Sequence, residues 1–139
     1  MSDRIRTYNP REVTASCGPQ IIDGFADDSF ITIEPNGDGV TKMVGCHGEV
    51  VRSISPDRTC KIKISLLQSA EENAFFARMY DLDQETGEGF FPILIKDLKG
   101  NVMFSAETAW VVNKGSLVRG KEAQNREWEI DTGEAVWSE

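Results

Sequence analysis

The sequence predicts a mainly β domain, a β-sandwich or small barrel with one flanking α-helix. Three observations carry that expectation. Residues 59–66 alternate strictly, with Cys60, Ile62, Ile64 and Leu66 on one side and Lys61, Lys63 and Ser65 on the other, as a half-buried strand requires. Directly afterwards the period becomes helical: Phe75, Met79 and Leu82 fall in one stripe, which Phe76 and Tyr80 widen. Elsewhere, short strand-like runs are separated by glycine, proline and asparagine. One helix is therefore available to cover a domain built of strands.

Tyr8-Asn9-Pro10 closes a short basic lead-in, and residues 12–17 alternate with Val13, Ala15 and Cys17 on one side. Gly18-Pro19 ends that run, Gln20-Ile21-Ile22 resumes it, and Asp23-Gly24 turns it. The next strand spans residues 29–34, with Ile31 and Ile33 on one face and Phe30, Thr32 and Glu34 on the other, before Pro35-Asn36-Gly37-Asp38-Gly39 breaks it. Residues 40–44 and 49–54 read as two strands around Gly45-Cys46-His47-Gly48, whose two glycines are expected to supply positive φ. This hairpin has too few large apolar residues to bury much against its own domain. It reads either as a protruding arm that finds its packing elsewhere or as a mobile surface loop.

Ser69-Ala70-Glu71-Glu72 has the pattern of a capping box at the helix start. Asp81 and Asp83 would oppose the helix dipole at its negative end, which predicts a stop near Leu82. Residues 85–89 form a turn, and 90–95 are apolar on both faces, as in a strand buried on both sides. A hairpin at 96–101 leads into a long strand at 102–113 carrying Phe104 and Trp110, and residues 115–120 link it onward. The last strand is expected at 122–131, setting Arg126, Trp128 and Ile130 against Glu127, Glu129 and Asp131.

At 139 residues the chain fits one domain with a proper core. Its formal net charge of -8 argues against gripping a nucleic acid backbone, which needs clustered Lys and Arg. It does not argue against a surface past which nucleic acid slides, although solubility is the plainer reason for such a balance. From residue 119 onward six acids face three bases, so acidity concentrates on the solvent side of the terminal strand. No apolar run reaches the ~20 residues of a membrane span, and no apolar segment follows the charged start. Neither membrane insertion nor secretion is expected, and synthesis in the cytoplasm is.

The three cysteines show no metal-ligand spacing. Cys60 reads as a small core residue. Cys46 stands beside His47 in a turn, where neighbouring side chains point apart, so a nucleophile–base pair is not expected. An odd cysteine count leaves Cys46 as a candidate inter-subunit cysteine, against the reducing tendency of the cytoplasm. Gly120-Lys121 lacks the rest of a phosphate-binding loop, and Gly87-x-Gly89 lacks the rest of a dinucleotide fingerprint. Asp81, Asp83 and Glu85 lack the glycine and closing glutamate of a calcium loop. No enzyme activity, metal or cofactor is expected. What remains is a sheet with free edges, which assemblies pair with the next copy.

Taken together, a set of short strings resembles the tail tube protein of contractile-tailed bacteriophages. They are Tyr8-Asn9-Pro10, Gly24-Phe25-Ala26-Asp27, Gly48-Glu49-Val50, Lys61-Ile62 running to Leu66, and the helix from Ser69. Gly89 before Phe91-Pro92-Ile93, Lys96-Asp97-Leu98 with Gly100, Ala109-Trp110, Gly120-Lys121-Glu122 and Arg126-Glu127-Trp128 complete them. The cysteines and the tail at residues 134–139 depart from the pattern. The resemblance implies one tail tube domain over residues 1–139, with the fold of the type VI secretion tube subunit and a hairpin arm at about 36–58. It implies homo-hexameric rings whose inner sheets join edge to edge, stacked into a tube that conducts double-stranded DNA without specific binding. The implied partners are a tail sheath protein, a tape measure protein, and baseplate and tail terminator proteins.

On that reading the lumen face carries Thr32, Glu34, Lys61, Lys63 and Ser65, and Glu127, Glu129 and Asp131 lie there or at the ring interface. The inter-ring arm would use Val40, Met43, Val44, Cys46, His47, Val50, Val51 and Ile54. Two other readings stand beside it: the tube subunit of a secretion system or phage-derived injection particle, and a small β-barrel ligand-binding protein or enzyme.

Overall fold

A computed structural model of the chain describes residues 9–25, 30–97, 102–122 and 124–139. A 3-10 turn at Pro10–Glu12, capped by the Asn9 side chain, precedes β1 (Val13–Cys17), β2 (Gln20–Ile22) and β3 (Ile31–Pro35). Then come β4 (Val40–Val44), β5 (Val50–Ile54), β6 (Cys60–Leu67), α1 (Glu72–Thr86) and β7 (Phe91–Asp97). The chain finishes with β8 (Val102–Asn113), β9 (Asn125–Thr132) and β10 (Ala135–Ser138). One antiparallel sheet runs β2-β1-β7-β8-β9-β6-β3, with β10 also on β8, while β4 and β5 pair with each other in a separate two-stranded sheet.

Opposed residues in antiparallel strands share a face, and here the register lines up the apolar ones. Cys17 faces Ile93, which faces Ala106; Val111 faces Ile130, which faces Ile62, which faces Ile33. Residues from both flanks of the sheet meet in a single core, so the sheet curls around its apolar face. A bulge keeps β8 in phase with that core. Ala106 and Ala109 both face inward although three residues apart, because β7 spends only two residues, Phe91 to Ile93, on the same stretch. The chain from β9 to β10 makes the matching step at Gly133, whose N–H donates to the Thr108 carbonyl at 2.8 Å.

The helix closes the core with Phe75 and Phe76. Their rings pack against Phe91 and, for Phe76, against Trp128 at 5.5 Å between centroids. Trp128 is wholly buried, and its indole N–H donates to Asn73 Oδ1 at 2.9 Å. The Asn73 amide in turn donates to the carbonyls of Leu67, Gln68 and Ala70. The Arg126 guanidinium lies 4.2 Å from the centroid of the Trp128 ring. Helix, strand end and turn are thus tied through one tryptophan.

Several expectations are corrected. No capping box forms at Ser69: the helix starts at Glu72, Glu71 stands in the cap position without a side-chain bond, and the Glu72 carboxylate accepts from the Asp23 N–H instead. The helix does not stop near Leu82 but runs to Thr86, where Gly87 ends it at a φ of 73°. The two aspartates that argued for an early stop find partners, Asp81 with Lys114 at 2.9 Å and Asp83 with the Gly89 N–H at 3.2 Å. Leu82 is exposed rather than part of the packed stripe.

Residues 90–95 are not buried on both sides. Phe90 is exposed, and Phe91, Ile93 and Ile95 alternate inward against exposed Pro92 and half-buried Leu94. Only Gly48 of the hairpin turn takes positive φ. The expected last strand is followed by another, β10, because the 134–139 tail continues along β8. The lead-in before Asn9, the Ala26-Asp27 part of one matching string and the hairpin link at 98–101 lie outside the described residues.

Candidate assembly surfaces

The polar face of β3-β6-β9 brings eight of the singled-out side chains together. Thr32 opposes Lys63, which opposes Glu129; Glu34 opposes Lys61, which opposes Asp131; Ser65 opposes Glu127. The long strand β8 extends the rows, with Asn113 beside Glu129 and Trp110 beside Asp131. Sequence reasoning missed Trp110 and Asn113, because a second bulge at Val112 resets which residues of β8 share this face. Four carboxylates stand here against two ammonium groups.

Lys61 Nζ meets Glu129 Oε1 at 2.8 Å, and the Asn113 amide donates to Glu129 Oε2 at 3.3 Å. The hydrogen bond from Lys61 is the main reason the Glu129 carboxyl is held below its ordinary range, and the same bond raises Lys61. Asp131 Oδ1 is buried with no hydrogen-bond partner among the described residues.

This four-strand panel has two open borders. Among the described residues, no strand pairs the outer side of β3, and β7 accompanies β8 only as far as Ala109, leaving Trp110–Asn113 without a strand on that side. Along β3, β6, β9 and β8 the direction alternates at every step.

The β4–β5 hairpin is the second surface. Its register sets Val40 against Ile54, Lys42 against Arg52, Met43 against Val51 and Val44 against Val50, and all ten strand residues are exposed. Apolar side chains occupy both of its faces, so neither face is a solvated polar side. Cys46 and His47 are exposed in its turn. Cys17 and Cys60 are buried in the sheet, where burial pushes the Cys17 thiol up to about 12 and raises that of Cys60. His47 and Cys46 converge with no carboxylate cluster, and no group of three or more His, Cys, Asp or Glu among the described residues could hold a metal ion. No helix among the described residues is long and apolar enough to cross a membrane.

The sequence matches the family described as Bacteriophage PhiTE tail tube protein over residues 12–136. It is 28% identical over 140 residues to "structural protein ORF10" of Pseudomonas phage KPP10, covering 94% of this chain and 80% of that protein. Among solved structures the fold resembles the tube-terminating cap of the anti-feeding prophage, with a TM-score of 0.62 at 11% identity over 99% of this chain and 95% of that one. It resembles equally the sheath/tube terminator of the extracellular contractile injection system PVC, with a TM-score of 0.62 at 11% identity over 99% and 100%. The sheath–tube complex of PVC in its extended state aligns with a TM-score of 0.57 at 10% identity over 95% and 91%.

Proposed function

Since the chain belongs to the Bacteriophage PhiTE tail tube protein family and is a structural component of the phage tail, we propose that it closes into hexameric rings whose inner wall is the β3-β6-β9-β8 panel. The observation that carries this is the panel itself: one polar face, two unpaired borders and an even number of alternating strands. Rotation about an axis preserves strand direction. The β8 border of one copy therefore meets the β3 border of the next antiparallel, and both open borders of the panel are removed. Thr32, Glu34, Lys61, Lys63, Ser65, Glu127, Glu129 and Asp131 then face the lumen. Their carboxylate excess repels phosphate that comes within about 8 Å of the wall, the screening distance at physiological salt, so double-stranded DNA passes without being held.

The hairpin, with Val40, Met43, Val44, Cys46, His47, Val50, Val51 and Ile54, is the arm that reaches the neighbouring ring, and the whole chain serves as one tube domain. A sheath surrounds the stack, a tape measure fills it during assembly, and baseplate and terminator proteins bound its ends. Reading the chain as non-enzymatic belongs to the same proposal. Likeness to the caps and tubes of injection particles keeps open a tube with a protein cargo, but at 10–11% identity it speaks for the fold alone.

Electron microscopy of tubes assembled from the purified protein tests the reading. Sixfold rings with the Lys61–Glu129 face lining the bore are expected. A closed monomer, or a ring with that face outward, overturns it. A non-reducing gel of the tubes tests Cys46 as a cross-link, and monomer bands alone exclude it.

A further inference from the structure

Every strand residue of the hairpin is exposed, so no packing of its own fixes the direction in which it leaves the body. That direction is decided at its root, where two legs join it to the sheet. The outgoing leg, Asn36-Gly37-Asp38-Gly39, is pliant, and Gly37 takes a φ of 78°. The returning leg, Ser55-Pro56-Asp57-Arg58-Thr59, is stiffer. Proline fixes one φ there, and the Asp57 carboxylate accepts from the Thr59 N–H at 2.9 Å and from the Thr59 hydroxyl at 2.6 Å. Between the legs, the Asn36 N–H donates to the Thr59 carbonyl at 3.1 Å, and the Asn36 amide to the Thr59 hydroxyl at 2.9 Å. Among the described residues, the hydrogen bonds of 36–57 stay within 36–59.

The stiff leg is held from outside by the far end of the chain. The Thr132 hydroxyl accepts from the Cys60 N–H at 3.1 Å, and beyond Gly133 the Ala135 N–H donates to the Arg58 carbonyl at 3.1 Å. The strand that supplies this second bond is itself seated on the sheet. β10 pairs with β8, and the Trp137 ring meets the buried Phe104 ring edge-on at 5.8 Å between centroids. Trp137 is still 40% exposed. It walls an open concavity of about 220 Å³ that is lined also by Pro35, by Asp57, Arg58 and Thr59 of the returning leg, and by Ala135.

We infer that β10 is a positioning strand for the hairpin: the Ala135–Arg58 bond anchors the stiff leg, and Trp137 walls the space into which that leg would otherwise swing. The inference concerns the single chain and does not rest on the tube reading. Its consequence is remote control. Residues 135–138 govern where residues 40–54 point, although the two stretches share no strand pairing.

Pulsed electron paramagnetic resonance on the purified full chain tests it, with circular dichroism to check folding. Nitroxides on Cys46 in the hairpin turn and on Glu85→Cys, exposed on α1, give one distance from hairpin to body. All chains carry Cys60→Ala, because Cys60 borders the concavity, and Cys17 is buried away from the label. The reference chain should give a single narrow distance distribution. Ala135→Pro removes the N–H that reaches Arg58 and spares the β8 ladder, since that N–H points away from β8; it should broaden or shift the distribution. Trp137→Ala should do the same, and Trp137→Phe, which keeps a ring against Phe104, should bring the distribution back. A β10 that only stabilises the body would lower the unfolding midpoint and leave the distance in the folded protein unmoved. That result overturns the inference, as does a reference chain already as broad as the variants, or a Trp137→Phe chain as broad as Trp137→Ala. Should Ala135→Pro not fold, the two Trp137 variants decide alone.

Discussion

Ile62 and Ile54 are the same side chain on strands of the same protein, yet one is wholly buried and the other 74% exposed. Both strands are rich in β-branched residues, and both pair antiparallel with a close neighbour. The difference lies in what the register aligns. In the sheet, Ile62 and Ile64 of β6 each oppose apolar residues on both β3 and β9, so one face becomes continuous and curls around a core. In the hairpin, apolar pairs fall on both faces and the centre of one holds two cations, so no single face can be turned inward. The sheet covers its own apolar side; the hairpin leaves its apolar side chains exposed.

The sharpest way to break the comparison is at the core. Trp128→Ala should destabilise the subunit by about 3–5 kcal/mol, because it removes a fully buried ring and leaves Asn73 Oδ1 without its donor; denaturant unfolding measures it. Gly89→Ala comes next. A Cβ there would collide with the Met79 carbonyl and with Asp83, lifting β7 off the helix end, at about 1–3 kcal/mol in the same assay.

A third effect depends on pH. Burial, with the Asp23 side chain adding to it, pushes the Glu72 carboxyl above its ordinary value. In the unfolded chain that group loses its proton at lower pH than in the folded one. Its contribution is therefore full below the ordinary carboxylate value and is lost as pH rises through the raised one. Glu72→Gln should remove that decline, leaving the variant more stable relative to wild type at neutral pH than at pH near 4; unfolding across a pH series reads the crossing.

The smallest effect on the fold should come from the hairpin. Ile54→Ser should change subunit stability by less than about 0.5 kcal/mol, because the side chain is already in water, while tube formation in the microscope should fail. A large loss of subunit stability instead would show that the hairpin folds back on its own body.

Much of this was legible in the chain because alternation is a local signal. The run at 40–44 coincides with β4 and the run at 59–66 overlaps most of β6, and Thr32, Glu34, Lys61, Lys63, Ser65, Glu127, Glu129 and Asp131 share one face because their parities agree. What stayed hidden depends on distant partners. The helix end is not legible in the sequence because Lys114 and Gly89, which receive Asp81 and Asp83, lie on other elements. Its start is hidden in the same way, because Glu72 accepts from the distant Asp23 N–H. The place of Trp110 and Asn113 on the polar face, and the pairing of β10, are not legible in the sequence because bulges in β8 set their phase, and a bulge has no signature in composition.

That phase has a bearing on how the chain can change in length. Between Ala106 and Ala109 the strand takes a half-step, and the β9–β10 run alongside takes its own between Thr132 and Ala135. Deleting a single residue at Glu107–Thr108 would bring β8 level with the two-residue step of β7 and keep Trp110 and Val111 on their faces, but it would leave β8 one residue short of the β9–β10 run. Insertions and deletions should accumulate in the connecting links and spare this pair of steps, which must lengthen or shorten together if they change at all.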